Sequence, residues 1–315
     1  MKAVVIKDVT PAENIKLSEI PVPKVKSGWV LVKIKAFGLN HSEQILRINE
    51  IKADYIQKPI VPGIECVGMV EDPSDSSFKK GQKVIAMMGG MGRSFNGSYS
   101  EYALLPENHI FNVSCKLSWA ELGAVLETYF TAWGSLVECL NIKVDDVLLI
   151  RGATCALGYA AIQIAKKIGC YVIATTHRES KLCFLAEADE AILDMGQLAG
   201  RMKNVNKVLD LIGPKYLKDT LYSIEQRGIV CSTGVLGGVY ALNGFDIIKD
   251  IPNGVYLTSF FSNYPNQETV DKIFTFIEEH KINPHIGAVY KFNDIARACE
   301  DMDNGRVNGK IVVKV

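Results

Sequence analysis

Residues 147–158 read Val-Leu-Leu-Ile-Arg-Gly-Ala-Thr-Cys-Ala-Leu-Gly, a continuous apolar run that ends in a glycine-bearing turn. Beyond it Ala156, Leu157, Ala160, Ala161, Ile164, Ala165 and Ile168 recur at helical spacing, so the order is strand, turn, helix. A buried strand feeding straight into a helix leaves the first backbone N–H groups of that helix unpaired and aimed at one spot, which suits a phosphate. A second apolar strand at 171–175 follows at once and completes a βαβ unit of the dinucleotide-binding kind. Gly152, Thr154, Cys155, Ala156, Leu157 and Gly158 are therefore the expected contacts to a pyrophosphate. The spacing departs from G-x-G-x-x-G, since only Gly152 and Gly158 are obvious and Thr154 and Cys155 fill the loop between them. Taken alone, such a pattern also describes an ordinary turn at a strand end.

In folds of this kind that prefer NAD, an Asp or Glu about 20 residues past the glycines ends the second strand and holds the ribose 2′-OH. Here the strand ends Thr175-Thr176-His177-Arg178, with Lys181 one helical turn later and no carboxylate at the tip. Arg178 offers paired N–H donors to a 2′-phosphate, Lys181 adds charge, and the two threonines add hydroxyl donors. The expected cofactor is NADP(H) rather than NAD(H). Read instead as a solvated helix start, the same cations oppose the helix dipole, and Glu179 stands where it can pair with either. A second glycine-rich strand end, Ser232-Thr233-Gly234-Val235-Leu236-Gly237-Gly238, lies where a ligand stretched across such a sheet is met. Gly234, Val235 and Gly237 thus join the expected cofactor contacts, although the stretch also reads as a flexible loop.

The elements that must carry these groups alternate. Short apolar strands recur at 191–193, 208–211, 229–232 and 255–258, separated by helical or polar segments, a pattern that predicts a parallel sheet covered on both faces. The front of the chain differs. Val30, Val32, Ile34 and Ala36 alternate with Leu31, Lys33, Lys35 and Phe37, further short strands read at 83–87, 99–105 and 109–113, and no long helical pattern intrudes before about residue 119. Residues 309–315 are strand-like again. An irregular β domain followed by an α/β domain is expected, and 315 residues suffice for two cores.

Composition narrows the partners. Thirty-five basic and 35 acidic residues cancel, so nothing points to nucleic acid or to an anionic membrane. The eight cysteines are scattered without a C-x-x-C pair, which fits reduced thiols and a cytoplasmic location. Residues 1–8 hold too short an apolar run for a signal peptide, and no run approaches a membrane span.

Taken in order, Phe37-Gly38-Leu39-Asn40-His41-Ser42-Glu43, Pro62-Gly63-Ile64-Glu65-Cys66-Val67-Gly68, Lys80-Gly81-Gln82-Lys83-Val84, Gly97-Ser98-Tyr99-Ser100-Glu101-Tyr102, Thr131-Ala132-Trp133, the glycine turn, Leu209-Asp210-Leu211-Ile212-Gly213 and Gly309-Lys310-Ile311-Val312 resemble the medium-chain dehydrogenase/reductase superfamily, in particular its zinc-free, quinone oxidoreductase-like branch. The resemblance covers essentially the whole chain. It implies an α/β architecture with a GroES-like, β-rich catalytic domain (1–122), a Rossmann NADP(H)-binding domain (123–262) and a return to the catalytic part (263–315). It also implies a homodimer joined through the last strand of the Rossmann sheet, around 255–262, where an apolar, β-prone run has no charge or proline to protect its edge. A strand covered by the chain's own helix is the alternative.

The departures bear on chemistry. Zinc-dependent relatives hold the metal through Cys, His and Cys; the corresponding positions here are Asn40, Ile64 and the neighbourhood of Glu127. Ile64 cannot bind a metal, a catalytic zinc needs three protein ligands, and the four-cysteine structural zinc lobe is absent, so no metal is expected. His41 reads as a hydrogen-bonded structural residue. Without a Lewis acid the easier task is hydride delivery to an already electrophilic quinone or α,β-unsaturated carbonyl, whose developing oxyanion needs hydrogen-bond donors. Asn40 carries an amide donor and is expected to face cofactor and substrate, the alternative being a loop-holding role. Tyr55 is the nearest phenol able to donate a proton, although relatives place a Tyr where Ile51 sits. Glu65 reads as a buried brace rather than a general base. Thr131 and Lys310 match relatives' residues at the cofactor. Cys155 replaces a glycine and reads as a tolerated small side chain or as a redox switch. The competing functions are a carbonyl or enoyl-thioester reductase of the same fold and an NADPH-binding structural or regulatory protein with little turnover.

Overall fold

Alternation in the strand Trp29–Gly38 has the consequence expected of it: Val30, Val32, Ile34 and Ala36 are buried while Lys33 is exposed. Leu31 and Phe37 are buried as well, because this strand runs through the middle of its sheet. The computed structural model describes all 315 residues, in two units: Met1–Phe130 with Asn263–Val315, and Thr131–Ser262.

In the first unit seven strands form one sheet, in the order Ile286–Lys291, Lys310–Lys314, Trp29–Gly38, Glu65–Asp72, Lys83–Met87 and Ile110–Asn112, with Tyr102–Pro106 also paired to Trp29–Gly38. The strand Lys310–Lys314 lies antiparallel to Trp29–Gly38, Val313 opposite Phe37. Phe37 anchors the core of this unit, stacked on Tyr99 at 5.0 Å and edge-on to Phe292 at 5.9 Å. One element departs from expectation. An α-helix, His41–Ile48, starts directly after Asn40, and its buried residues are Glu43, Leu46 and Arg47. At eight residues the helix spans barely two turns, and two of its buried side chains are ionic, so it does not stand out as a long apolar pattern. Arg47 is accommodated by Nη2, which reaches both Asp303 oxygens at 2.9 Å, and by Nη1, which donates to the carbonyl of Thr10.

The second unit is a six-stranded sheet in which every pairing is parallel. Its order is Glu190–Leu193, Tyr171–Thr176, Val147–Arg151, Lys207–Asp210, Ile229–Ser232, Tyr256–Thr258. Counted along the chain this is 3-2-1-4-5-6, the doubly wound order of dinucleotide-binding folds, whose ligand crevice opens at the carboxyl ends of strands 1 and 4. Those ends are Arg151 and Asp210, which are register partners. Tyr256–Thr258 occupies the sheet edge, as expected, but is only three residues long.

Candidate active site

The turn after Val147–Arg151 is tied to the tip of the neighbouring strand. Gly152 takes a φ of +85°, its N–H donates to Thr175 Oγ1 at 3.1 Å, and the Ala153 N–H donates to the Thr175 carbonyl at 2.8 Å. A Cβ at Gly158 would collide with the Ala153 carbonyl, so this position serves the close helix-on-strand packing that dinucleotide folds require. Cys155 is the N-cap of the helix Ala156–Ile168, its Sγ accepting from the Gly158 N–H at 3.4 Å. Burial pushes the Cys155 thiol up, against the pull of the Gly158 and Leu157 N–H groups and the Lys181 charge. The sulfur therefore sits as a neutral cap in a place where Ser, Thr, Asp or Asn is the usual choice.

Thr175 and Thr176 are 0% and 1% exposed, and their hydroxyls are committed inside the protein. Thr175 Oγ1 takes the Gly152 N–H, while Thr176 Oγ1 lies 3.2 Å from Thr154 Oγ1 and accepts from the Arg178 N–H at 3.3 Å. Both hydroxyls thus help shape the turn through internal hydrogen bonds. Arg178 is exposed, its Nε donating to His177 Nε2 at 3.2 Å rather than to Glu179. Desolvation, then the charges of Arg178, Lys181 and Lys215, hold His177 below its ordinary value, and desolvation followed by Arg178 lowers Lys181. The cations around His177 outweigh the opposing pull of Asp194. Lys181 follows in a 3₁₀ helix, Glu179–Leu185. Segment 232–238 folds back on the adjacent strand end: the Gly234 N–H donates to Asp210, Leu236 to Leu211 and Gly237 to Ile212. Thr131 belongs to the same unit; its carbonyl accepts from Ser135 Oγ at 2.7 Å, and Ser135 in turn meets Thr233 Oγ1 at 2.9 Å.

Sequence reasoning missed Arg151. It is fully buried, with Nε and Nη2 on Asp194 at 2.7 and 3.1 Å, Nη2 on Asp219 at 2.7 Å and Nη1 on Thr220 Oγ1 at 2.8 Å. Asp194 stands 3.4 Å from Thr175 Oγ1, so the guanidinium connects through two side chains to the N–H of Gly152. The available signal was a single charge closing an apolar strand immediately before a glycine.

In the first unit a second polar cluster joins three buried side chains, Glu43, Glu65 and Lys310, to the half-buried Asn40. Lys310 Nζ donates to Asn40 Oδ1 and pairs with Glu65 Oε1, each at 2.7 Å, and Asn40 Nδ2 donates to the same Glu65 oxygen at 2.8 Å. The other Glu65 oxygen accepts the Glu127 N–H at 2.7 Å. Glu43 lies alongside, taking the N–H groups of Asn40 at 2.6 Å and Ile64 at 3.1 Å. Burial first, then the neighbouring Glu65 charge, raise Glu43 to about 7 against the pull of Lys310. Glu65 is thus the brace its position suggests. Lys310, assigned to the cofactor by resemblance, is 2% exposed and engaged with Asn40 and Glu65, because its strand pairs with the end of Trp29–Gly38, two residues before Asn40. Tyr55 is 64% exposed on the segment after Glu50–Lys52, whereas Ile51 is wholly in the core. His41 opens its helix from an exposed position. Ile64 is buried, and no group of three or more His, Cys, Asp or Glu side chains could hold a metal ion.

Comparison with known proteins bears on both units. Residues 26–115 match the alcohol dehydrogenase GroES-like domain, and residues 186–313 match a family described as zinc-binding dehydrogenase. A human quinone oxidoreductase is 27% identical over 99% of this chain and 97% of its own length. Among solved structures, a quinone oxidoreductase of Pseudomonas syringae pv. Tomato superposes with a TM-score of 0.88 at 24% identity, covering 100% of this chain and 99% of that one. A mycobacterial protein complexed with NADPH gives 0.85 at 22% identity, with both chains fully covered.

Proposed function

Since the chain belongs to the medium-chain dehydrogenase/reductase superfamily of oxidoreductases, we propose that it is an NADPH-dependent reductase of quinones or α,β-unsaturated carbonyls that works without zinc. The observation that carries this reading is the setting of Asn40. Where zinc-dependent relatives present a metal ligand, this chain presents a carboxamide whose oxygen is already bonded to the Lys310 ammonium. A resident cation repels a second one, and Ile64 offers no donor atom. The family description "zinc-binding dehydrogenase" therefore does not fit the donors present.

NADPH, when bound, supplies the hydride. For the pyrophosphate the chain offers the N-terminus of the helix Ala156–Ile168 beside Gly152 and Thr154, and for the 2′-phosphate Arg178 and Lys181, supported by the positive surroundings of His177 and Lys215. The mycobacterial neighbour's NADPH and the absence of a carboxylate at the strand tip favour the phosphorylated cofactor. An Nδ2–H of Asn40 stabilises the charge that develops on the acceptor oxygen, a task that preorganised donors perform in a water-poor site. No helix is long and apolar enough to cross a membrane, and a small molecule is the expected substrate. The exposed edge at Tyr256–Thr258 supports a homodimer.

The deciding experiment is NADPH oxidation across a panel of quinones, enones and aldehydes. Turnover confined to quinones or enones is the expected result. Turnover of aldehydes alone would shift the assignment to a carbonyl reductase, and tight NADPH binding with flat absorbance throughout would favour a binding protein.

A further inference from the structure

Asn40, Glu65 and Lys310 close a ring of three contacts: ammonium to amide oxygen, amide nitrogen to carboxylate, ammonium to carboxylate. A carboxamide is usually free to turn end for end. Here the reversed amide would set its N–H group against an ammonium and its oxygen against a carboxylate, so a single orientation survives. Gly38 makes room for the arrangement, since a Cβ there would collide with Lys310 Cε and Glu65 Oε1. One Nδ2–H is spent on Glu65, and the direction of the other is fixed by the plane of the group. The ammonium also draws electron density toward the amide oxygen, which strengthens the remaining N–H as a donor in a low-dielectric setting.

We propose that Lys310 is a positioning residue for the reduction, acting through Asn40 by orienting and polarising its carboxamide and making no contact with NADPH. This rests on the reading of Asn40 as donor to the acceptor oxygen. It also departs from what resemblance implies, in which Lys310 holds the cofactor.

The test uses the full chain and menadione as the probe quinone, with steady-state kinetics and fluorescence titration of NADPH for wild type, Asn40→Ala, Lys310→Met and the double variant. Lys310→Met is expected to lower kcat by roughly ten- to a hundredfold while KM and Kd for NADPH stay put, and the double variant is expected to be no slower than Asn40→Ala alone. Weakened NADPH binding in Lys310→Met would place the ammonium on the cofactor and overturn the proposal. Normal kcat in Lys310→Met beside an impaired Asn40→Ala would overturn it too, leaving the role of Asn40 intact. Normal turnover in Asn40→Ala would remove both. Because Lys310→Met strands the Glu65 charge, the neutral pair Lys310→Met/Glu65→Gln is measured alongside, folding checked by circular dichroism, and the same loss of kcat is expected. Should the wild type leave menadione untouched, the side-chain amide proton signals of Asn40, assigned by their loss in Asn40→Ala, decide the question. They are expected to move upfield in Lys310→Met, and unmoved signals would refute the polarisation.

Discussion

Glu43 and Glu65 are two fully buried carboxylates that share one neighbouring cation, Lys310. Only one of them can be neutralised by that cation, and Glu43 is the one raised, to about 7 from 4.5. Between those values the folded protein holds a proton that the unfolded chain releases. Stability from this group is therefore fully present below the unfolded value and is lost as pH rises through the folded one. Urea denaturation should show wild type weakening between about pH 5 and pH 8 by on the order of 2–3 kcal/mol from this source. Glu43→Gln, which is neutral throughout, should flatten that slope; an unchanged slope would assign the pH dependence elsewhere.

Arg178→Ala should weaken NADPH binding by about 1–3 kcal/mol, the range for losing a charged hydrogen bond, with NADH affinity little changed. Titration of both cofactors against both proteins measures this. Equal losses would show that Arg178 does not read the 2′-phosphate.

Turnover should survive chelators, and elemental analysis should find no stoichiometric metal. One zinc per chain would contradict the argument from Ile64 and the Lys310 ammonium.

A test of the dimer has to spare the residues of this edge that face inward. Phe260 packs over Gly134, where a Cβ would strike its ring, and Leu257 leans into the core of its unit, so a charge at either damages the fold. Tyr256 and Phe261, 59% and 69% exposed, are the side chains an edge-to-edge partner would cover. Phe261→Glu should convert a dimer into a species near 34.7 kDa in sedimentation at micromolar concentration. Wild type already at that mass would end the dimer proposal.

What was legible in the sequence was local. The apolar run into Gly152 and the helix after it announce themselves within a few residues, and so does the missing carboxylate at Thr176. Asn40 could be singled out as a position, but its partner Lys310 lies 270 residues away, and nothing in the spacing of either reveals their contact. Arg151 was hidden for the same reason, its Asp194 partner being 43 residues on. The helix His41–Ile48 escaped because it is short and two of the three side chains it buries are charged. Buried polar networks are built from long-range partners, so hydropathy periodicity is blind to them.

The pairing of Lys310–Lys314 with Trp29–Gly38 also sets an order of events during synthesis. The strands of the Thr131–Ser262 unit are contiguous and can assemble while the polypeptide is still being made, as domains generally do. The other sheet cannot close until residues translated after that whole unit emerge. Until then the end of Trp29–Gly38, from Ala36 to Gly38, waits without its partner on one side, while Tyr102–Pro106 already covers the other half of that side. An unpaired strand segment is a surface prone to aggregate. Asn40 acquires its ammonium partner in the same step that seals this edge, so a half-made chain holds neither the finished sheet nor the amide geometry of the finished protein.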